Sequence, residues 1–161
     1  MKKFYLMMVL CTLFLITNCK DNKTYTLKYI YDYEQDLDDN QKLKLEKLFV
    51  EHEKKTSNEI VLVTVGDYGK ENGNIDVYSL DFKAKHLIGK VNKDNGVLIV
   101  FSKKNSEVRI TPGSGLLKID KSGKTNYLLK SVMTPRFEKK KYFEGLWECS
   151  LELIKYLEEN K

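Results

Sequence analysis

Two short apolar runs limit the architectures open to this chain more than anything else in it. Ile60-Val61-Leu62-Val63-Thr64-Val65 and Val97-Leu98-Ile99-Val100-Phe101 are rich in β-branched residues and show no polar alternation. A strand that is apolar at successive positions is covered on both faces, as an inner strand of a layered α/β sheet is. Glu107-Val108-Arg109-Ile110-Thr111 behaves differently: Val108 and Ile110 share one face and Arg109 lies on the other. The turn Lys103-Lys104-Asn105-Ser106 joins it to the run before. Leu27 to Tyr33, rich in Tyr and Ile, reads as a short strand or an extended lead-in.

Helical patterns separate and follow these runs. Asp38 and Gln41 have the spacing of a capping box, and Leu45, Leu48, Phe49 and His52 follow on one face, with an end expected near Lys54-Lys55. Asn74 can cap a second helix from Ile75 to about Ile88, with Tyr78, Phe82 and Leu87 among its apolar positions and Gly89 as its stop. A third helix is expected from a cap at Asp120 or Ser122 to about Met133, closed by Pro135. The last runs from about Tyr142 to Glu158, with Phe143, Leu146, Trp147, Ser150, Leu153, Ile154 and Leu157 as its buried stripe. This order predicts an α/β fold: a three-layer α/β/α sandwich with a small, mostly parallel or mixed sheet flanked by helices.

The first nineteen residues point to export. Met1-Lys2-Lys3 precedes an apolar run from Phe4 to Ile16, and Thr17-Asn18-Cys19 follows. Thirteen apolar residues are too few for a transmembrane helix, which needs about 20, and the arrangement is that of a secretory signal. Ile16-Thr17-Asn18-Cys19 looks like a relaxed bacterial lipobox, so Cys19 is the expected lipidation site. A plain signal peptide, cut nearby to release a soluble chain, is the alternative. The expected divisions are a signal over 1–18, a lipidated cysteine and tether over 19–25, and one domain over 26–161. The localisation they imply is an exported lipoprotein on a membrane, facing periplasm or cell exterior.

Of the 161 residues, 143 remain after such a cut, enough for one domain with a real core. Losing Lys2 and Lys3 leaves 26 basic against 23 acidic residues. The lysines are scattered apart from Lys139-Lys140-Lys141, and no basic stripe interleaved with aromatics exists, so nucleic acid is not an expected partner. With Cys11 in the signal and Cys19 acylated, Cys149 is left without a partner for a disulfide, and its place in an amphipathic helix reads as a buried thiol.

Catalytic signatures are sparse. His52 and His86 are the only histidines, and neither has a partner at metal-ligand spacing. Gly113-Ser114-Gly115 lacks the Lys and spacing of a phosphate loop, so no nucleotide or organic cofactor is implied. Oxygen donors for a hard cation do exist in the loops: Asp67, Asp94, Asn95, Asp120 and Ser122, none in an EF-hand arrangement. Shaping turns is their other role. Ligands of open α/β sheets sit beyond the carboxyl ends of strands, where the strand ending at Val65 delivers Asp67 and the strand ending at Thr111 delivers the Pro112 to Gly115 loop. Asp94 and Asn95 precede their strand, and strand direction decides whether they join it. Arg109 can orient a phosphate or carboxylate with its planar fork, or serve as a charge on the strand surface.

From Tyr31 to Leu157 the motifs come in a familiar order. They are Tyr31-Asp32-Tyr33, Thr56-Ser57-Asn58-Glu59-Ile60-Val61-Leu62-Val63-Thr64-Val65, Leu87-Ile88-Gly89, Asp94-Asn95-Gly96-Val97-Leu98-Ile99, Val108-Arg109-Ile110 leading to Gly113-Ser114-Gly115-Leu116, Met133-Thr134-Pro135-Arg136-Phe137 and Tyr142-Phe143-Glu144-Gly145-Leu146. In these the chain resembles the TPM domain, a family of secreted or membrane-anchored modules of bacteria and thylakoids. The resemblance implies an α/β/α sandwich with a rim pocket that holds calcium or another divalent cation in some members. It also implies acid phosphatase activity in plant relatives. Three positions depart from the family pattern: His86 stands where an aromatic residue is expected, Lys121-Ser122 replaces Thr-Asp, and Lys140-Lys141 replaces Gly-Asp. Fewer carboxylates and more lysines disfavour a cation. The expected function is therefore an anchored extracytoplasmic binding or assembly module, with the membrane and a membrane protein as partners and a divalent ion at Asp94, Asn95, Asp67 and Asp120. A metal-assisted phosphatase-like hydrolase is the alternative.

Overall fold

A computed structural model describes residues 27–68 and 73–160. The signal, Cys19 and the tether lie outside the described residues. The sheet has four strands in the order β1 (Ile30–Asp32), β2 (Glu59–Thr64), β3 (Gly96–Ser102), β4 (Glu107–Pro112). The first three are parallel and β4 returns antiparallel through the Lys103–Ser106 turn. Glu59 is opposite Gly96 and Thr64 opposite Phe101, so β2 and β3 start and stop together. β3 is buried along its whole length, as its unbroken apolar run requires.

The two faces of the sheet are sorted by residue parity. Ile60, Leu62, Ile99, Phe101 and Ile110 point to the side covered by α1 (Asp39–Thr56) and α6 (Tyr142–Glu159), where Phe101 packs at a tilt against Phe137 and Tyr142. Tyr31, Val63, Val100 and Thr111 point to the side covered by α2 (Ile75–Lys85). There Ser79 and Thr111 join hydroxyls at 2.5 Å, and Phe82 meets Tyr31 edge-on at 5.3 Å. The result is the expected α/β/α sandwich around an open sheet.

Helix ends follow the local chemistry. Asp38 and Gln41 form the full capping box of α1, and Ser57 closes it in the left-handed conformation, φ 65°. Asn74 caps α2 through the Val77 N–H. That helix stops at Lys85, short of the expected Ile88, because the chain turns at Leu87, φ 50°. Leu87 is accordingly 75% exposed and not part of the apolar face.

The third expected helix is broken into α3 (Lys118–Lys121), α4 (Lys124–Tyr127), a π-helical turn over Leu128–Met133 and α5 (Thr134–Phe137). Gly123, at φ 75°, separates the first two. Pro135 opens α5 rather than closing the helix before it: in a first turn its missing N–H leaves no bond unmade.

Candidate functional site

Three connections meet at the amino end of the parallel strands. They are Ser57-Asn58 ahead of β2, Lys90–Asn95 ahead of β3, and Gly113–Gly115 behind β4, whose reversed direction brings its carboxyl end here. Asp94 sits at their junction in the left-handed conformation, φ 40°. Its Oδ1 is 2.5 Å from the Lys83 ammonium, its Oδ2 accepts the Ser114 N–H at 2.6 Å, and its carbonyl accepts the Gly115 N–H at 3.1 Å. The Lys83 hydrogen bond, then that of Ser114, holds the Asp94 carboxyl below its usual range. The contact explains both glycines. A Cβ on Gly113 would fall 2.0 Å from the Asp94 carbonyl oxygen, and one on Gly115 2.0 Å from that of Lys93.

Asn95 is a clip. Its amide donates to the Ser57 carbonyl at 2.6 Å and to Asn58 Oδ1 at 3.1 Å, and its Oδ1 accepts the Lys90 N–H at 2.9 Å. It thereby ties the end of α1 to the loop that carries Asp94. Glu59 accepts the Gly89 N–H at 2.7 Å and fixes the other end of that loop. Glu53, on α1, bridges Lys90 and Lys28 at 2.6 and 3.4 Å and also accepts the Tyr29 hydroxyl. Burial pushes the Glu53 carboxyl up, but hydrogen bonds from Lys90 and Tyr29, together with the Lys28 charge, outweigh it and bring it down to about 2.

Beside Asp94 opens a cleft of about 350 Å³ lined by Leu80, Lys83, Leu87, Val91 and Asp94, among others. Leu80 is 60% and Val91 91% exposed, so with Leu87 they present a continuous apolar lip to solvent.

The other expected site residues do not join this group. Asp67 follows the carboxyl end of β2, at the opposite edge of the sheet from Asp94, with Lys104 at 3.5 Å. Asp120 lies on α3, where its carboxylate accepts the Thr125 hydroxyl at 2.5 Å, and Ser122 donates to the Ile119 carbonyl. Arg109 pairs with Asp76 of α2 at 3.0 Å. Among the described residues no three His, Cys, Asp or Glu side chains gather as a metal cage. A hard cation takes six to eight oxygens. Asp94 offers one carboxylate already held by an ammonium, and Asn95 offers an amide oxygen already bonded. These donors do not fit such an ion together.

His86 stacks on Phe82 at 4.0 Å and meets Tyr31 edge-on at 4.9 Å, so it takes up the aromatic place that it occupies in the sequence. His52 is buried in α1, 3.6 Å from Glu158. Sequence reasoning missed Lys83 and the exposed lip. The signal for the lip was Leu87 and Val91 flanked by Lys85, Lys90 and Lys93, with Gly89 between them.

An open α/β/α sandwich with a glycine-clasped Asp at the amino end of β3 defines a class of small layered modules. The TPM domain family model matches residues 30–156, and the chain belongs to that family. Solved structures share the fold. The N-terminal domain of a protein from P. gingivalis is 22% identical, with a TM-score of 0.69 over 80% of each chain. BA42 from the psychrophilic bacterium Bizionia argentinensis is 17% identical, with a TM-score of 0.65 over 78% of this chain and 83% of that one. The N-terminal domain of cg2496 from Corynebacterium glutamicum is 6% identical, with a TM-score of 0.62 over 88% and 87%. No curated protein matches the chain.

Proposed function

We propose that this TPM domain is a lipid-anchored, extracytoplasmic binding and assembly module. The observation that supports it is the contrast at the amino end of the sheet. The polar groups there are committed to structure: Asp94 to Lys83 and Ser114, Asn95 to Ser57, Asn58 and Lys90. The apolar groups beside them, Leu80, Leu87 and Val91, are not covered. Contiguous exposed apolar surface with a polar rim is a mark of interaction sites. Membrane attachment rests on Cys19 and its lipobox-like context. A divalent ion belongs to this reading only at Asp94, where it must displace the Lys83 ammonium.

The test takes the full chain, expressed with its signal, and asks two questions. Mass spectrometry of the mature N-terminus should find an acylated Cys19. A generic phosphate ester, assayed with and without calcium or magnesium, should not be turned over. Turnover that vanishes in Asp94→Ala would replace binding with hydrolysis as the activity.

A further inference from the structure

The point where the chain enters the domain lies beside the exposed apolar lip. Glu46 accepts the N–H of Lys28 at 2.8 Å and of Tyr29 at 3.0 Å, which fixes the start of the domain against α1. Lys28 and Lys90 then share the carboxylate of Glu53. Val91 follows Lys90 directly, and Val91 and Leu87 line the same cleft. Seven residues separate Cys19 from Leu27, and so short a chain spans at most about 30 Å. A lipid on Cys19 therefore keeps this end of the sheet within about 30 Å of the bilayer.

Charge favours turning the lip toward the bilayer. Between Leu80 and Asn95 stand Lys83, Lys85, Lys90 and Lys93 against Asp81 and Asp94, a net charge of +2. The ion pairs of this end, Asp94 with Lys83 and Glu53 with Lys28 and Lys90, cancel part of both signs and leave the balance basic. Leu80, Leu87 and Val91, ringed by lysines, make the pattern of a surface that sinks apolar tips among anionic headgroups.

We infer that the face carrying Leu80, Leu87 and Val91 is the membrane-proximal face of the domain and rests on an anionic lipid bilayer. The inference deepens the anchored-module reading and depends on it. A lipidated cysteine holds the chain at the membrane but does not orient the domain, and a second, basic and apolar contact is what selects the face that meets the lipid.

The test uses the full acylated chain, purified from membranes and reconstituted in vesicles of phosphatidylethanolamine and phosphatidylglycerol. Nitroxide labels are placed at Val91→Cys and, at the far end of the sheet, at Lys104→Cys; Cys149 is buried and does not compete. Accessibility to oxygen, which concentrates in lipid, is compared with that to a water-soluble nickel chelate. The label at 91 should collide with oxygen and be shielded from the chelate at least about fivefold more than the label at 104, and added salt should reduce that shielding. Equal exposure of both labels to the chelate overturns the inference while leaving the anchor intact. Shielding at 91 from both reagents overturns it in favour of a protein partner. Recovery of an unacylated chain in the soluble fraction overturns the anchor and the inference with it. Leu87→Ser with Val91→Ser should fold as the parent does and bring a label at Lys93→Cys to within about twofold of the chelate exposure of the label at 104; shielding at 93 that stays as in the parent would overturn the inference.

Discussion

Asn95 separates a structural reading of this end of the sheet from a ligand-binding one. Asn95→Ala removes three hydrogen bonds, to Ser57, Asn58 and Lys90. A net bond is worth about 1 kcal/mol, and a buried partner left bare costs more. Asn95 is 5% exposed, while Ser57 lies at the surface, so water can reach part of what is stranded. The expected loss is about 3 kcal/mol, a large share of the 5–15 kcal/mol typical of a domain. With a urea slope of about 1.5 kcal/mol per molar, the midpoint should fall by about 2 M with the slope unchanged. Asn95→Asp is the informative comparison. It keeps the acceptor for the Lys90 N–H but turns an anionic oxygen on the Ser57 carbonyl and on Asn58 Oδ1, with no proton to share. It should be at least as unstable as the alanine variant at neutral pH and recover partly in acid. A residue serving only as an oxygen ligand would tolerate Asp and leave the metal-free melt unchanged. Loss of less than about 0.5 kcal/mol in Asn95→Ala would refute the clip.

Two further outcomes follow from the same end of the molecule. The carboxyl of Glu53 lies at about 2 in the folded chain against an ordinary 4.5, so its stabilisation is complete above pH 4.5 and is lost as pH falls toward 2. Glu53→Gln should lower stability at neutral pH and flatten its decline over that window in pH-dependent urea melts; an unchanged slope would show that Lys28, Lys90 and Tyr29 do not hold the carboxylate. Gly113→Ala places a methyl 2.0 Å from a backbone oxygen that is itself hydrogen bonded and should cost about 1–3 kcal/mol by forcing the loops apart. A thermal melt equal to the parent's would mean that the Asp94 loop is looser than its contacts imply.

The fold was legible because burial writes itself into short apolar runs. Ile60 to Val65 and Val97 to Phe101 could be nothing but inner strands, and Asp38 with Gln41 marked the start of α1 by local chemistry alone. The rim was also legible in part. A strand, a helix and a strand make a parallel pair, and a four-residue turn makes an antiparallel one. Asp67 falls at the carboxyl end of β2 as expected, but the antiparallel return of β4 carries the Gly113–Gly115 loop away from Asp67 to the other rim, beside Asp94. What pattern could not supply was long-range pairing. Nothing at Lys83 announces Asp94, and nothing at Asn95 announces Ser57 across 38 residues. Pro135 misled for a related reason: proline forbids a helix interior but suits a first turn, and the π-helical turn before it set which of these it met.

The separation of Asp94 from Asp67 has a consequence for the proposed anchoring. A bilayer under the Leu87 and Val91 lip puts the amino end of the sheet against lipid and turns the carboxyl end outward by the length of β3, seven residues or about 23 Å at strand spacing. That outer rim carries Tyr33, 56% exposed, and Asp67 beside Lys104, and it adjoins an aromatic cleft lined by Tyr33, Tyr78, Asp81, Phe82, Lys85 and His86. A partner arriving from the aqueous side meets these groups first, and the glycine-clasped Asp94 only through the gap between domain and membrane. Both ends are braced, the carboxyl end by Lys103 with Asp36 and by Asn105 with Gly66 and Ser102, and they differ in what they expose: Leu87 and Val91 at one, Tyr33 at the other. Charge or bulk added at Leu87 should act on attachment, and substitution at Tyr33 on recognition, because a sheet with three parallel strands gives the domain two chemically different ends.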